Sequence, residues 1–533
     1  MALRLFSKSN KVIAGMTVSD DTETDVLIIG AGPTGLVLAL WLAHMGVRVR
    51  IIDKTAEPGT TSRALAVQAR TLELYGQIGL AEAVVERSRA ALAVNLWVTG
   101  KKRTHVAFGA MGEGISRYPY PVIFPQDEHE RLLIERLSRV GVEVERSMEL
   151  LDFETTHQVV AHVKKSDGSV ETCRAAWIAG CDGAHSIVRE ALNIGFGGGT
   201  YEHIFYVADI EATGPVMNGE LHVGLDKSDF LALFPLKEGG RVRLVGTVSD
   251  EALRRETLTW DDINTRVMEW IPINVVRVNW FSTYHVHHRV AEHLRKGHAF
   301  LLGDAAHIHS PVGGQGMNTG IGDAVNLAWK LAWVLHGRAD KSLLDSYEPE
   351  RIAFARRLVE TTDQAFTAVT SSRPTARFLR LDVVPALLPP LFAFTPTRRL
   401  LYQTVSQTNV NYRGSALSEG HVGPVRGGDR LPWVKISNAD NFAPLTALDW
   451  QVHVYGAATQ ELRRICSTRD LRLHIFPWRA EMARAGLRPN AAYLMRPDGY
   501  IATVQPEATA GRIGAYLDDH HIAAVGLSAS RSQ

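Results

Sequence analysis

The sequence predicts an α/β chain: a doubly wound parallel sheet, a β-sheet unit inserted into it, and a separate block at the end of its 533 residues. Three observations predict it. A short apolar, β-branched run at 26–29 is followed by Gly30, Gly32 and Gly35, then by an apolar helical stretch over 34–45 and a second strand-like run over 47–52. That is a βαβ unit. From 201 to 290 the pattern changes to alternating strand-like runs, among them 221–225, 230–236 and 241–248, which suits a sheet rather than further crossovers. Residues 299–302 return to a buried strand, and 316–335 reads as a long helix carrying Leu327, Leu331 and Leu335, so the opening fold is completed late in the chain.

Composition narrows the function classes. Lysine and arginine number 58 against 57 acidic residues, a net charge of +1, so no excess charge is available for a phosphate backbone and nucleic acid is not an expected partner. Cys173, Cys181 and Cys466 are too few and too scattered for a disulfide framework or a thiolate zinc site, and read as reduced thiols of a cytoplasmic protein. Apolar stretches fall far short of the roughly 20 residues that cross a bilayer, so no membrane span is expected. The first fifteen residues carry Arg4, Lys8 and Lys11 and no acid, without a secretory apolar stretch, and 1–24 reads as a flexible extension.

The chemistry sits in glycine turns. Gly30, Gly32 and Gly35 form G-x-G-x-x-G between strand and helix, where the backbone can approach a pyrophosphate and the helix N-terminus presents free N–H groups to it. Asp53 ends the second strand roughly twenty residues on, placed to accept from ribose hydroxyls, and its charge disfavours a 2′-phosphate. Two further apolar strands end in acidic-glycine pairs, one running into Cys181, Asp182 and Gly183 and the other into Gly303 and Asp304. Pro311 to Asn318 is a glycine-rich turn entering the long helix, whose positive dipole end suits an anionic ring. No second G-x-G-x-x-G follows a strand, and no C-x-x-C is present, which argues against a dithiol flavin reductase. The histidine clusters His285/His287/His288 and His307/His309 lack the carboxylates or thiolates that would complete a metal shell, so no metal is expected.

These motifs, in this order and spacing, resemble the p-hydroxybenzoate hydroxylase family of single-component, class A FAD-dependent aromatic monooxygenases, over about 25–351 and more loosely beyond. The resemblance implies a Rossmann-type FAD-binding domain over 25–200 and 291–372, an inserted substrate-binding sheet domain over 201–290 and a thioredoxin-like C-terminal domain over 426–533, while the proline-rich 373–396 and the glycine-rich 423–428 read as a helical and linker region over 373–425. It implies FAD contacts from Gly30, Gly32, Pro33, Gly35, Asp53, Lys54, Arg63, Gln126, Asp182, Gly303, Asp304, Pro311, Gly314, Gly316, Met317 and Asn318, with Arg189 toward the pyridine nucleotide. His307 is expected to pack beside the flavin loop. Residues 428–432 and 496–500 are similar to segments of three-domain members that end in a thioredoxin-like fold, and with only Cys466 in it the last block reads as a packing or dimer contact rather than a thiol redox unit.

The reaction so implied is hydroxylation of a phenol-like or polyketide-like aromatic by NADPH or NADH and dioxygen, through a flavin C4a-hydroperoxide. Water must be kept out, so an apolar pocket is expected, with Phe230, Leu233, Phe234 and Pro311 lining it. His222 and Tyr206 are the candidate bases or hydrogen-bond partners that would favour the phenolate. A homodimer is part of the expectation. The alternatives left open are an oxidoreductase of the same fold that transfers hydride without inserting oxygen, and a non-catalytic protein that keeps the fold.

Overall fold

The computed structural model describes residues 18–59, 64–225, 230–248, 258–263, 271–310, 313–370, 394–437, 439–507 and 510–523, and singly 375, 378, 381, 383 and 387. The chain opens with strand β1 (Val18–Ile29), helix α1 (Pro33–His44), strand β2 (Val49–Asp53) and helix α2 (Ala69–Gln77). A hairpin of β3 (Ala93–Val98) and β4 (Lys101–Ala107) precedes helix α3 (Gln126–Arg139) and β5 (Val144–Arg146). The meander β6 (Glu149–Thr155), β7 (Val159–Lys164) and β8 (Val170–Gly180) ends at the short helix α4 (Ile187–Ala191). Five strands follow: β9 (Phe196–Thr213), β10 (Leu221–Leu225), β11 (Phe230–Pro235), β12 (Arg241–Thr247) and β13 (Asn274–Ala291). The first sheet is then completed by β14 (Arg295–Lys296) and β15 (Ala299–Leu301), before β16 (His307–Ile308) and the long helices α5 (Gly316–Leu335) and α6 (Tyr347–Thr370).

The first sheet has the order β14-β15-β8-β1-β2-β5, with β7 and β6 attached beyond β8. Its centre is parallel, and Ile29 aligns with Gly180 while Gly180 aligns with Leu301. Strands β1, β8 and β15 therefore end at one edge, and the turns that leave them start side by side. Residues 26–29 are buried on both faces because helices cover both, and α1 is buried from Gly35 to Leu42 without a polar residue in that stretch.

The second sheet has the order β16-β13-β9-β12-β11-β10-β3-β4. Three boundaries differ from the expectation. The hairpin β3–β4 belongs to this sheet through the parallel pairing of β3 with β10, and β9 and β13 run out to Phe196 and Ala291, so the sheet is wider than 201–290. Strand β1 starts at Val18, inside the supposed extension, because the polar stretch 18–24 is held by backbone pairing to β8 and needs no apolar side chains to stay there. The glycine-rich 423–428 is not a free linker: Gly428 N–H donates to Ile501 O at 2.7 Å and Ile501 N–H to Asp429 O at 2.8 Å, which stitches it to the last block.

Helix α7 (Thr395–Val405) leads to that block, where β17 (Gln451–Tyr455), α8 (Gln460–Thr468), β18 (Arg472–Phe476), β19 (Ala492–Met495), β20 (Ile501–Gln505) and α9 (Ala510–Asp519) follow in order. The sheet order is β18-β17-β19-β20, with β17 and β18 parallel and the other pairs antiparallel. Residues 430 and 496–500, two segments picked out in the sequence, meet here as Arg430 pairs with Tyr500, and Arg430 Nε donates to Glu73 of α2 at 2.7 Å. The block packs directly on the first domain.

Candidate functional site

The shared edge of the first sheet brings the three motifs together. Gly30 has φ +99°, a conformation that penalises any side chain, and a Cβ there would lie 2.7 Å from the carbonyl carbon of Cys181. The turns after β1 and β8 thus touch. A Cβ on Gly303 would lie 2.6 Å from Thr34 Oγ1, so the turn after β15 closes on the start of α1. Gly32 is the N-cap of α1, Pro33 its first residue, and no side chain caps the helix, which leaves its N–H groups open to a ligand anion. Asp53 Oδ2 accepts from Ala31 N–H at 2.7 Å and Oδ1 from Thr55 N–H at 2.8 Å, so the carboxylate is fixed against the glycine turn. Lys54 beside it is exposed.

Asp182 Oδ2 accepts from Val188 N–H at 3.3 Å, at the start of α4, and burial pushes its carboxyl up from the ordinary range. Arg189 points inward rather than outward. Its guanidinium donates to Ala305 O at 3.0 Å and Ala184 O at 2.9 Å and lies 3.9 Å over the Phe196 ring, tying the β8 turn to the β15 turn. Asp304 is exposed beside buried Gly303.

The turn entering α5 is built by Asn318, whose side chain is wholly engaged. Its Nδ2 donates to Ala66 O and Gly314 O, both at 2.8 Å, and its Oδ1 accepts from Gln68 N–H and Thr71 Oγ1, both at 2.8 Å. A direct side-chain contact from Asn318 to a cofactor is therefore replaced by a bracing role, and what this turn can offer is backbone. Gly316 and Met317 are half-buried at the start of the helix, which has no side-chain cap. Gln126 starts α3 and donates to Glu130 at 2.8 Å. Arg63 and Pro311 lie outside the described residues.

Sequence reasoning missed Asp323. It is fully buried and accepts from Gly303 N–H at 3.0 Å, from His307 Nε2 at 2.7 Å and from Arg351 Nε at 2.6 Å, so it holds the β15 turn through its backbone. Burial would raise its carboxyl, but Arg351 and His307 outweigh that and bring it down to about 2. One signal existed: a lone carboxylate inside the apolar stretch of α5 must find a cation.

The second sheet sorts the substrate candidates by face. Cross-strand partners share a face, and the pairings His222↔Leu233, Leu233↔Leu244, Leu244↔Ala208 and Tyr206↔Gly246 put His222, Leu233 and Tyr206 together. That face is covered by its own apolar cluster, with Ile263, Ile271 and Phe281. The opposite face carries Phe205, Val207, Phe230, Phe234, Trp280 and Tyr284, and Phe234 packs with Leu65, Ala91 and Ile123 of the first domain, next to Ala66 and the 313–316 turn. The expected lining is thus split: Phe230 and Phe234 share the face on which Phe234 meets the first domain, and Leu233 lies on the other.

His222 and Tyr206 are therefore corrected as base candidates. His222 accepts from Trp97 Nε1 at 3.0 Å on Nδ1 and contacts Asn218 Oδ1 at 3.0 Å through Nε2, so both nitrogens are engaged, and burial brings the imidazole down to about 4. Its neutral form is stabilising above the unfolded value near 6.5, and this contribution is lost as pH falls from there through 4. His222→Gln is expected to leave kcat and its pH profile within about twofold, while removing about 1–3 kcal/mol of acid-dependent stability between those pH values. Urea titrations at pH 7.5 and 5 check it.

The chain matches the FAD binding domain family over residues 23–362. It is 32% identical to the 6-methylpretetramide 4-monooxygenase of Streptomyces rimosus, covering 93% of both chains, and 31% identical to the pentachlorophenol 4-monooxygenase of Sphingobium chlorophenolicum, over 77% of this chain and 76% of that one. Among solved structures, the OxyS anhydrotetracycline hydroxylase of Streptomyces rimosus superposes with a TM-score of 0.75 at 28% identity, covering 94% of this chain and 99% of that one.

Proposed function

The chain belongs to the FAD binding domain family, within the class A type of flavin-dependent aromatic monooxygenase, and on that premise we propose that it puts one oxygen atom on a phenol-bearing, fused-ring aromatic of the polyketide kind. The observation that carries this reading is the common edge at which β1, β8 and β15 end, because it gathers every strand-end motif around one cleft. FAD supplies the redox chemistry there, taking reducing equivalents from NADPH or NADH and activating dioxygen. The names of the relatives, monooxygenases in each case, support oxygen insertion over hydride transfer alone.

In this proposal the uncapped start of α1, with Gly30, Gly32, Pro33 and Gly35, receives the pyrophosphate, and Asp53 receives the ribose hydroxyls beside Lys54. Gly303, Asp304 and Asp182 border the cofactor's middle, while Gly314, Gly316 and Met317 offer backbone N–H groups and the α5 dipole to the ring, with Asn318 bracing that turn. Arg63, Gln126 and Pro311 complete the set. Phe234 and its neighbours keep water from the reacting carbon and give a fused ring system a broad apolar surface. The 2-1-3-4 strand order of the last block supports a thioredoxin-like reading, and a cytoplasmic homodimer belongs to the same proposal. No described helix is long and apolar enough to cross a membrane.

Asp53→Ala is expected to weaken FAD binding about 10- to 100-fold, since hydrogen bonds to a charged acceptor are worth about 1.5–3 kcal/mol. Flavin fluorescence titration of the apoprotein measures it. The function itself is tested with oxygen-18: incubation with NAD(P)H and a panel running from simple phenols to tetracyclic aromatics should give a product one labelled oxygen heavier. NAD(P)H loss without label in any product would refute oxygenation, and label only in single-ring phenols would refute the fused-ring preference.

A further inference from the structure

Helix α5 has a second face that the reaction does not use. Gly320 lies against Thr34 and Gly303, but Gly322, two residues on and roughly 200° around the helix, borders a small cavity with Arg70 of α2, Arg351 of α6 and Tyr412, Asp498 and Tyr500 of the last block. The cavity lies on the seam between the first domain and the C-terminal block.

Among the described residues, the charges that wall this seam do not balance. Five cations take part: Arg70, Lys330, Arg351, Arg430 and Arg496, whose side chains are 0–6% exposed. Four carboxylates answer them. Glu73 accepts from Arg70 and Arg430, Glu350 from Lys330 and Arg496, Asp498 from Arg496, and Asp323 from Arg351. One positive charge is left over among these buried side chains, where an uncompensated ion is unfavourable. Lys330 Nζ donates to Asn326 Oδ1 at 2.9 Å and to Glu350 Oε2 at 2.8 Å, the contacts of a charged ammonium, although burial pushes it down to about 8.

Two donors at the cavity lack acceptors among the described residues. Arg70 Nη1 and Nη2 reach Glu73 and the Asp498 carbonyl, while its buried Nε–H has no partner among them. The Tyr412 hydroxyl accepts from Arg351 Nη1 at 2.9 Å, which leaves its own proton without an acceptor among the described residues. A surplus positive charge, two unanswered donors and a cavity coincide.

We propose that this cavity binds one small monovalent anion of the halide class, held by Arg70 Nε–H and the Tyr412 hydroxyl, which neutralises the seam and fastens the C-terminal block to the first domain. Larger or more highly charged anions exceed both the space and the single surplus charge. Thr71 and Asn318, which brace the turn entering α5, also line this cavity, but the anion site does not depend on the proposed reaction.

The test uses the holoenzyme. Crystals soaked in bromide should show an anomalous peak within hydrogen-bonding distance of Arg70 Nε. In solution, chloride should raise Tm saturably where sodium gluconate at equal ionic strength does not, and Tyr412→Phe should shift the half-saturating chloride concentration upward by about tenfold, as expected for the loss of one hydrogen bond to an ion. Since Arg70→Met also removes two structural bonds and can fail to fold, the bromide map of the unaltered protein is the deciding measurement. Water alone at Arg70, a peak confined to the glycine turns, or equal effects of chloride and gluconate would overturn the proposal. The first of these results would fit a neutral Lys330 instead.

Discussion

Gly30→Ala is expected to yield a chain that no longer retains FAD on purification. Two independent costs act at this position. A backbone at φ +99° carries a strain of about 1–3 kcal/mol for any residue with a Cβ. The added carbon would also lie 2.7 Å from the Cys181 carbonyl carbon and 2.9 Å from Asp182 Cα, backbone atoms that cannot turn aside like a side chain, and overpacking of this kind costs about 1–3 kcal/mol more. The chain can relieve both only by moving the β1 turn away from the β8 turn, which opens the very contact that shapes the cofactor's cradle. Absorbance of bound flavin against protein concentration measures retention, and circular dichroism tests whether the fold survives. Full flavin occupancy in the variant would mean that this turn is not where the cofactor's phosphates lie. Gly183→Ala serves as the comparison: it also has positive φ, but nothing lies within 4 Å of its missing Cβ, so the strain appears without the collision.

Asp323→Ala is the second large effect, expected at about 3–5 kcal/mol of lost stability. The residue never reaches the cleft, yet its removal leaves Arg351 buried without its carboxylate and takes the acceptor from Gly303 N–H and His307. Flavin affinity should fall together with stability, because the β15 turn loses its anchor. The acid limb gives a sharper signature. With the carboxyl held at about 2 in the folded chain against an ordinary value near 3.8, the stabilisation is complete above the higher value and is lost as pH falls toward the lower. The unaltered protein should lose stability across that window and the variant should show a shallower slope there, read by urea midpoints from pH 5 downward. Asp323→Asn keeps an acceptor for Gly303 but no charge for Arg351, so it should restore part of the flavin affinity and little of the stability.

Much of the frame was legible because it is written in local pattern. The run at 26–29, the three glycines and the carboxylate at Asp53 each constrain only their neighbours in the chain, so strand, turn and helix could be read one after another. The site's second layer was not legible in the same way. Asn318 reads as a residue that touches a cofactor, and only its four contacts to Ala66, Gly314, Gln68 and Thr71 reveal a brace. His222 and Tyr206 are reasonable bases by residue type, but a strand turns alternate residues to opposite faces, and which face meets the first domain depends on how the sheet docks. The hairpin β3–β4 was lost to the first domain because its partner β10 lies far along the chain.

By itself, then, the amino-acid order determined the βαβ opening, the three strand-end motifs and the chemistry they suit, because backbone conformation and short-range hydrogen bonding answer to adjacent residues. Tertiary structure decided which face of the inserted sheet looks toward the cleft, which carboxylate anchors the last turn, and that nine buried charges gather on one seam. Those are matters of register and docking between segments hundreds of residues apart, and no local pattern carries them.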